Sequence, residues 1–144
     1  MNNEQKILND ELTVKSKTDN LSVVRDFIRS YASKCGLMEK EISKIVLAVD
    51  EACTNIIKHA YKYSPQGDIN LRINCSQNKF VVLITDTGNH FNPELIPEPN
   101  LAAFQKEKRK GGLGIFLIKK LMDEVNYKNL SGERNQVELV KYIG

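Results

Sequence analysis

The chain has no tryptophan, four prolines and three cysteines in 144 residues. It also has no apolar run near the ~20 residues that a membrane-crossing helix needs. That absence argues against a helical membrane protein, and residues 1–10 lack the apolar stretch of a signal peptide. The expectation is a soluble, unexported, cytoplasmic protein with no membrane partner. Charge of one sign is equally scarce: 21 Lys and Arg against 18 Asp and Glu leave a net charge of +3. The only local concentration is Lys106, Lys108, Arg109 and Lys110. A nucleic-acid binder usually carries a broader basic face, so no direct nucleic-acid partner is expected. Cys35, Cys53 and Cys75 are odd in number, far apart and set in apolar patterns. Reduced core thiols are therefore expected rather than a disulfide framework.

What is present is ordinary for a globular protein, with 41% apolar and 27% charged residues. A chain of this length can bury a core without disulfides or metals. The expected division is a flexible segment over 1–10 and a single domain over 11–144. There is no internal repeat.

Alternation of Leu12 and Val14 with polar neighbours predicts a first strand over 12–17. Asp19 or Asn20 is placed to cap a helix over 21–35, which Gly36 ends. The strongest periodic signal predicts a helix over 39–61, with Ile42, Ile45, Val46, Val49, Cys53, Ile56, Ile57 and Ala60 in one stripe. Ile69, Leu71, Ile73 and Cys75 then alternate as a half-buried strand. Residues 80–84 read as a buried strand running into Asp86-Thr87-Gly88. Residues 92–112 read as a long, proline-broken and then charged loop, a length that points to a functional or mobile segment. A third helix over 113–124 and two strands over 125–129 and 137–143 complete the order β-α-α-β-β-loop-α-β-β. This predicts an α+β, two-layer sandwich: a mixed, mostly antiparallel sheet covered by helices on one face.

Glu51 and Asn55 lie four apart on the second helix and so share a face, roughly opposite the apolar stripe. Read alone, with Lys44, Lys58 and Lys62, this is a solvated helical face, and Asp86 with Gly88 is a strand-end turn. Gly111-Gly112-Leu113-Gly114 opens a helix, where unpaired N–H groups favour an anion and glycine permits close approach. Two common nucleotide signatures are missing. There is no G-x-x-x-x-G-K-[ST] loop, and no V-A-I-K, H-R-D or D-F-G set.

In order, these pieces resemble the GHKL ATPase superfamily (gyrase, heat-shock chaperone, histidine kinase, MutL). Within it they are similar to the anti-sigma factor serine kinases of the RsbW and SpoIIAB type. The N box is matched by Val49-Asp50-Glu51-Ala52-Cys53-Thr54-Asn55-Ile56-Ile57-Lys58-His59-Ala60-Tyr61, and the first glycine box by Asp86-Thr87-Gly88-Asn89-His90-Phe91-Asn92-Pro93. The second glycine box is matched by Gly112-Leu113-Gly114-Ile115-Phe116-Leu117-Ile118 and the residues up to Val125. Each box is weak alone, and three in order at suitable spacing are strong.

The resemblance implies an ATP- and Mg²⁺-dependent serine kinase that phosphorylates a STAS-domain anti-anti-sigma protein, binds a sigma factor and forms a homodimer. Asn55 would ligate Mg²⁺, and Glu51 would be the general base. Asp86 would accept the adenine amino group, and Gly88 would let the backbone pass close to the base. Gly112, Leu113 and Gly114 would meet the phosphates, with Lys58 nearby. Residues 92–111 would be a lid, and one of Lys108, Arg109 or Lys110 would neutralise the transferred phosphoryl group. Sensor histidine kinases generally place asparagine where Glu51 stands and use a separate helical acceptor domain, which this sequence does not show.

The chain departs from the family pattern twice. His90 replaces a glycine of the first glycine box, and Arg134-Asn135 stands where Gly-Thr is common near adenine. These departures keep open a second reading, a partner-switching module that sequesters a protein with ATP bound and transfers no phosphate.

Overall fold

The computed structural model describes residues 8–90, 114–130 and 132–143. Its elements run β1 (Leu8–Lys15), α1 (Leu21–Lys34), α2 (Glu39–Asn55), β2 (Asp68–Cys75), β3 (Lys79–Asp86), α3 (Gly114–Leu121), β4 (Glu124–Leu130) and β5 (Arg134–Tyr142). The five strands form one sheet in the order β1-β2-β3-β5-β4, and all four pairings are antiparallel. The expected mixed character is absent from this sheet.

One face of the sheet carries the core. Ile69, Leu71, Ile73 and Cys75 of β2 sit opposite Asp86, Ile84, Val82 and Phe80 of β3, and Val137 and Leu139 of β5 continue the rows. All are buried. α2 lies between α1 and α3. Its Ile45, Val49 and Cys53 are fully enclosed, and Ala48 and Ala52 are small enough for close helix approach. Burying so many aliphatic side chains, at roughly 1.5–3 kcal/mol for each large one, is what holds the helical layer to the sheet.

Several boundaries differ from expectation for identifiable reasons. β1 starts at Leu8 and not at residue 12, because Leu8, Asn9 and Asp10 pair with Cys75, Asn74 and Ile73. The chain enters α1 through a 3₁₀ turn, Thr18–Asn20. Neither candidate cap makes a side-chain cap bond there. Asn20 instead donates its Nδ2 to the Lys15 carbonyl at 2.9 Å. Gly36, at φ +84°, ends α1 as expected, with the Leu37 N–H reaching back to Ala32 O.

The long second helix is regular only to Asn55. It then widens into a π-helical turn, Ile56–Ala60, in which the Tyr61 N–H bonds the Ile56 carbonyl. α3 stops at Leu121, since Asp123 N–H is drawn away to Val140 O and the chain joins the sheet. β5 starts at Arg134, earlier than expected, after Gly132 and Glu133 turn the chain at positive φ. Cys35 and Cys75 are joined as a disulfide, against the expectation of reduced thiols. The end of α1 lies over the end of β2 and brings their Cα atoms to 6.5 Å, within disulfide reach. Cys53 is free and buried.

Lys141 is only 8% exposed. Its ammonium donates to Leu121 O at 3.1 Å, at the C-terminal end of α3, and pairs with Glu41 at 3.4 Å and Asp123 at 3.7 Å. It joins α2, α3 and β5 and opposes the negative end of the α3 dipole. Lys141→Met keeps the stem and removes the charge. Leaving these acceptors unmatched is expected to cost about 1–3 kcal/mol, read as a lower urea midpoint at unchanged slope.

Candidate functional site

The C-terminal end of α2, the end of β3 and the β4–β5 pair surround a cavity of about 670 Å³. It falls in the usual size range of small-molecule sites. Ala52, Asn55 and Ile56 come from α2 and its π-helical continuation, Asp86 from β3, His90 from the segment after it, Tyr127 from β4 and Asn135 from β5. Two sequence-predicted residues, Asn55 and Asp86, therefore share one cavity although 31 positions separate them.

Asp86 ends the central strand and is 4% exposed. Its Oδ1 accepts two hydrogen bonds, from the Gly88 N–H at 2.9 Å and from Asn135 Nδ2 at 2.9 Å. Burial pushes its pKa above the usual carboxylate value, and these two bonds oppose the rise. The strand register explains the contact, because Asn135 is the β5 residue directly opposite Asp86.

Gly88 is required by the protein's own packing. A Cβ there would lie 2.7 Å from the carbonyl oxygen and 2.8 Å from the carbonyl carbon of Ala60. The adjacent Asn89 N–H donates to that same oxygen at 2.6 Å. The π-helical turn thus presents Ala60 O outside the helical ladder, where the first glycine box uses it. Tyr61 makes a second tie, its hydroxyl donating to Asp68 O at 2.7 Å and accepting the Thr87 N–H at 2.9 Å.

Glu51 stands one turn before Asn55 and is half-buried; it flanks the cavity without lining it. Burial raises its pKa, the Asp50 charge adds to the rise, and the Lys58 charge opposes it. Asp50 is itself paired with Arg25 of α1 at 2.7 Å. Lys58, on the π-helical turn, does not line the cavity, and its charge bears on both Glu51 and His59. Gly114 opens α3, at the helix N-terminus where it was expected. Gly112, Leu113, Lys108, Arg109, Lys110 and the 92–111 segment lie outside the described residues.

The contacts of His90 and Asn135 are not legible in the sequence motifs. His90 Nδ1 lies 3.0 Å from Asn135 Oδ1, so the two departures from the family pattern bond to each other. Alternation could have found Asn135: it is two residues before buried Val137 and so shares its face. Arg134 points to the other face and is exposed.

The profile of the histidine kinase-like ATPase domain matches residues 14–141. The chain belongs to this family. Serine-protein kinase RsbW of Bacillus subtilis is 30% identical over 138 residues, covering 92% of this chain and 84% of its own length. The protein of the same name from Halalkalibacterium halodurans is 35% identical over 127 residues, covering 85% and 76%. That from Staphylococcus aureus strain JH9 is 33% identical over 139 residues, covering 92% and 86%. By these matches the chain is an RsbW-type member of the family. Among solved structures, the RsbU and RsbW domains of Rv1364c from Mycobacterium tuberculosis align with TM-score 0.66 at 16% identity, covering 93% of this chain and 31% of that one. A chain of the SiaB-SiaC complex from Pseudomonas aeruginosa aligns with TM-score 0.56 at 17% identity, covering 96% and 92%. At these identities the two structures speak to the fold alone.

Gly88→Ala tests the packing at the first glycine box. The clash with the Ala60 backbone is expected to cost about 1–3 kcal/mol, seen as a lowered denaturation midpoint. A variant as stable as the parent would show that the loop yields freely.

Proposed function

We propose that this chain is an ATP-dependent serine kinase of a partner-switching system, which phosphorylates a STAS-domain anti-anti-sigma protein and otherwise holds a sigma factor. The observation that carries the reading is Asn55 and Asp86 on one cavity, with Glu51 one helical turn from Asn55. The printed names of the relatives favour phosphoryl transfer over sequestration alone. A homodimer in the cytoplasm is proposed on the resemblance only.

Asp86 is the acceptor for the adenine amino group. Asn55 supplies a side-chain oxygen, a suitable ligand for Mg²⁺, which is commonly held by one or two protein groups together with the substrate's phosphates. When bound, the metal would neutralise phosphate charge. Gly112, Leu113 and Gly114 are assigned to the phosphates through the N-terminus of α3, and one of Lys108, Arg109 or Lys110 to the transferred phosphoryl group. Lys58 is assigned to the phosphates from the resemblance, and its charge also opposes the rise of the Glu51 pKa.

Transfer requires the serine oxygen to bond the γ-phosphorus as the bond to the bridging oxygen of ADP breaks. The hydroxyl proton passes to Glu51. A carboxylate whose pKa is raised by burial is a stronger base than an exposed one.

Glu51→Ala is expected to lower transfer to a STAS-domain substrate by about 10²–10⁴-fold while calorimetric Mg-ATP binding persists. Equal loss of both would count against the assignment. Asn55→Ala is expected to weaken Mg-ATP binding itself, and unchanged affinity would refute the metal role.

The acid limb of the pH–rate profile is expected above the ordinary carboxylate range, because Glu51 must be deprotonated to act. Asp50→Asn removes a charge that raises the Glu51 pKa, so that limb should move to lower pH. An unmoved limb would separate Glu51 from the titration.

A further inference from the structure

Asp86, Asn135 and His90 form one hydrogen-bonded chain along the wall of the cavity. Its proton directions follow from the contacts. Asn135 Nδ2 is 2.9 Å from a carboxylate oxygen, Asp86 Oδ1, and 3.2 Å from a carbonyl oxygen, Gly88 O. Both partners only accept, so both are served by the amide nitrogen and its two hydrogens. The amide oxygen is then left facing His90 Nδ1 at 3.0 Å, and that nitrogen must carry a hydrogen to bond it. A neutral His90 is thereby held as the Nδ1–H tautomer.

This arrangement also orients Asp86. Its Oδ1 is saturated by two donors, and no hydrogen bond from a described residue reaches Oδ2. A carboxylate fixed this way offers one ionised oxygen to a ligand donor. Adenine presents an amino group at its 6-position, and that group can donate. A 6-oxo purine presents an acceptor there, which a carboxylate repels, and a site built to bond one group leaves a buried polar atom unmatched when the other binds.

We infer that Asn135 is the positioning residue for purine selection. Braced by His90, it holds Asp86 in the one orientation that accepts a 6-amino purine and refuses a 6-oxo purine. This rests on the proposed role of Asp86 toward adenine. It also accounts for His90 in the first glycine box and Asn135 on β5, since the two side chains bond to each other. Asn135 acts only through Asp86.

The pH behaviour supplies a readout that packing alone would not move. Among the described residues, the other titratable groups around Asp86 are His90 on the following segment, Cys53 on α2, and Tyr127, Lys128 and Glu138 on the β4–β5 wall, with Glu11, Asp68, Arg72 and Arg134 around a second hollow that Asp86 also borders. The Cys53 thiol is pushed far up by burial and stays neutral. Asn135 donates to ionised Asp86 and lowers its pKa. Its removal should therefore raise the pH at which nucleotide binding is lost on acidification.

The test is calorimetry of Mg-ATP and Mg-ITP with the full chain, its Asn135→Ala variant and its His90→Ala variant, each across a pH series. The unaltered chain is expected to prefer ATP. Asn135→Ala should lose about tenfold in ATP affinity with little change toward ITP, as expected for one charged hydrogen bond, and its acid limit should rise. His90→Ala, on an exposed segment, should lose part of the same preference and serves if Asn135→Ala does not fold. A preference for ATP that survives both substitutions overturns the role of Asn135 while leaving that of Asp86 standing. No preference in the unaltered chain overturns the selection itself, and no binding of either nucleotide overturns the reading on which it rests.

Discussion

The burial of α2 is the constraint on which the rest of the structure depends. The helix is enclosed by the sheet beneath it and by α1 and α3 at its sides, and Ile45, Ala48, Val49 and Cys53 have almost no exposure. A helix so enclosed cannot rotate without exposing apolar surface or burying charge. Its remaining strip thereby carries Asn55 onto the cavity between α2 and the β4–β5 side of the sheet, with Glu51 one turn before it. The partial burial that raises the pKa of Glu51 is a consequence of the same packing.

The second joint is where the helix gives up its regularity. Widening over Ile56–Ala60 turns the Ala60 carbonyl toward Asn89, and Gly88 allows the two backbones to meet. The N box and the first glycine box are in this sense one structural unit. Tyr61 reinforces it from the other side by bonding both Asp68 and Thr87. π-helical turns often occur at functional sites, and this one follows immediately after Asn55.

The order and type of the elements were legible because each follows a local period. Ile69, Leu71, Ile73 and Cys75 alternate, and Ile42, Ile45, Val46 and Val49 recur at helical spacing; both sets are buried as read. The ends of elements were less legible, since they depend on partners distant in sequence. Leu8 is in a strand because Cys75 lies beside it, and α3 stops because Val140 takes the Asp123 N–H. The Cys35–Cys75 bond was missed for the same reason, as forty positions separate its ends.

By itself the sequence determined which residues are polar amid apolar stripes and in what order, and so Glu51, Asn55, Asp86 and the glycines could be named from composition, spacing and resemblance. Only the tertiary structure decided that Asn55 and Asp86 face one cavity and that Asn135 and His90 complete a chain to Asp86. The physical reason is that periodicity tells which face of an element is buried. What that face meets is set by strand register and helix packing between segments far apart in the chain.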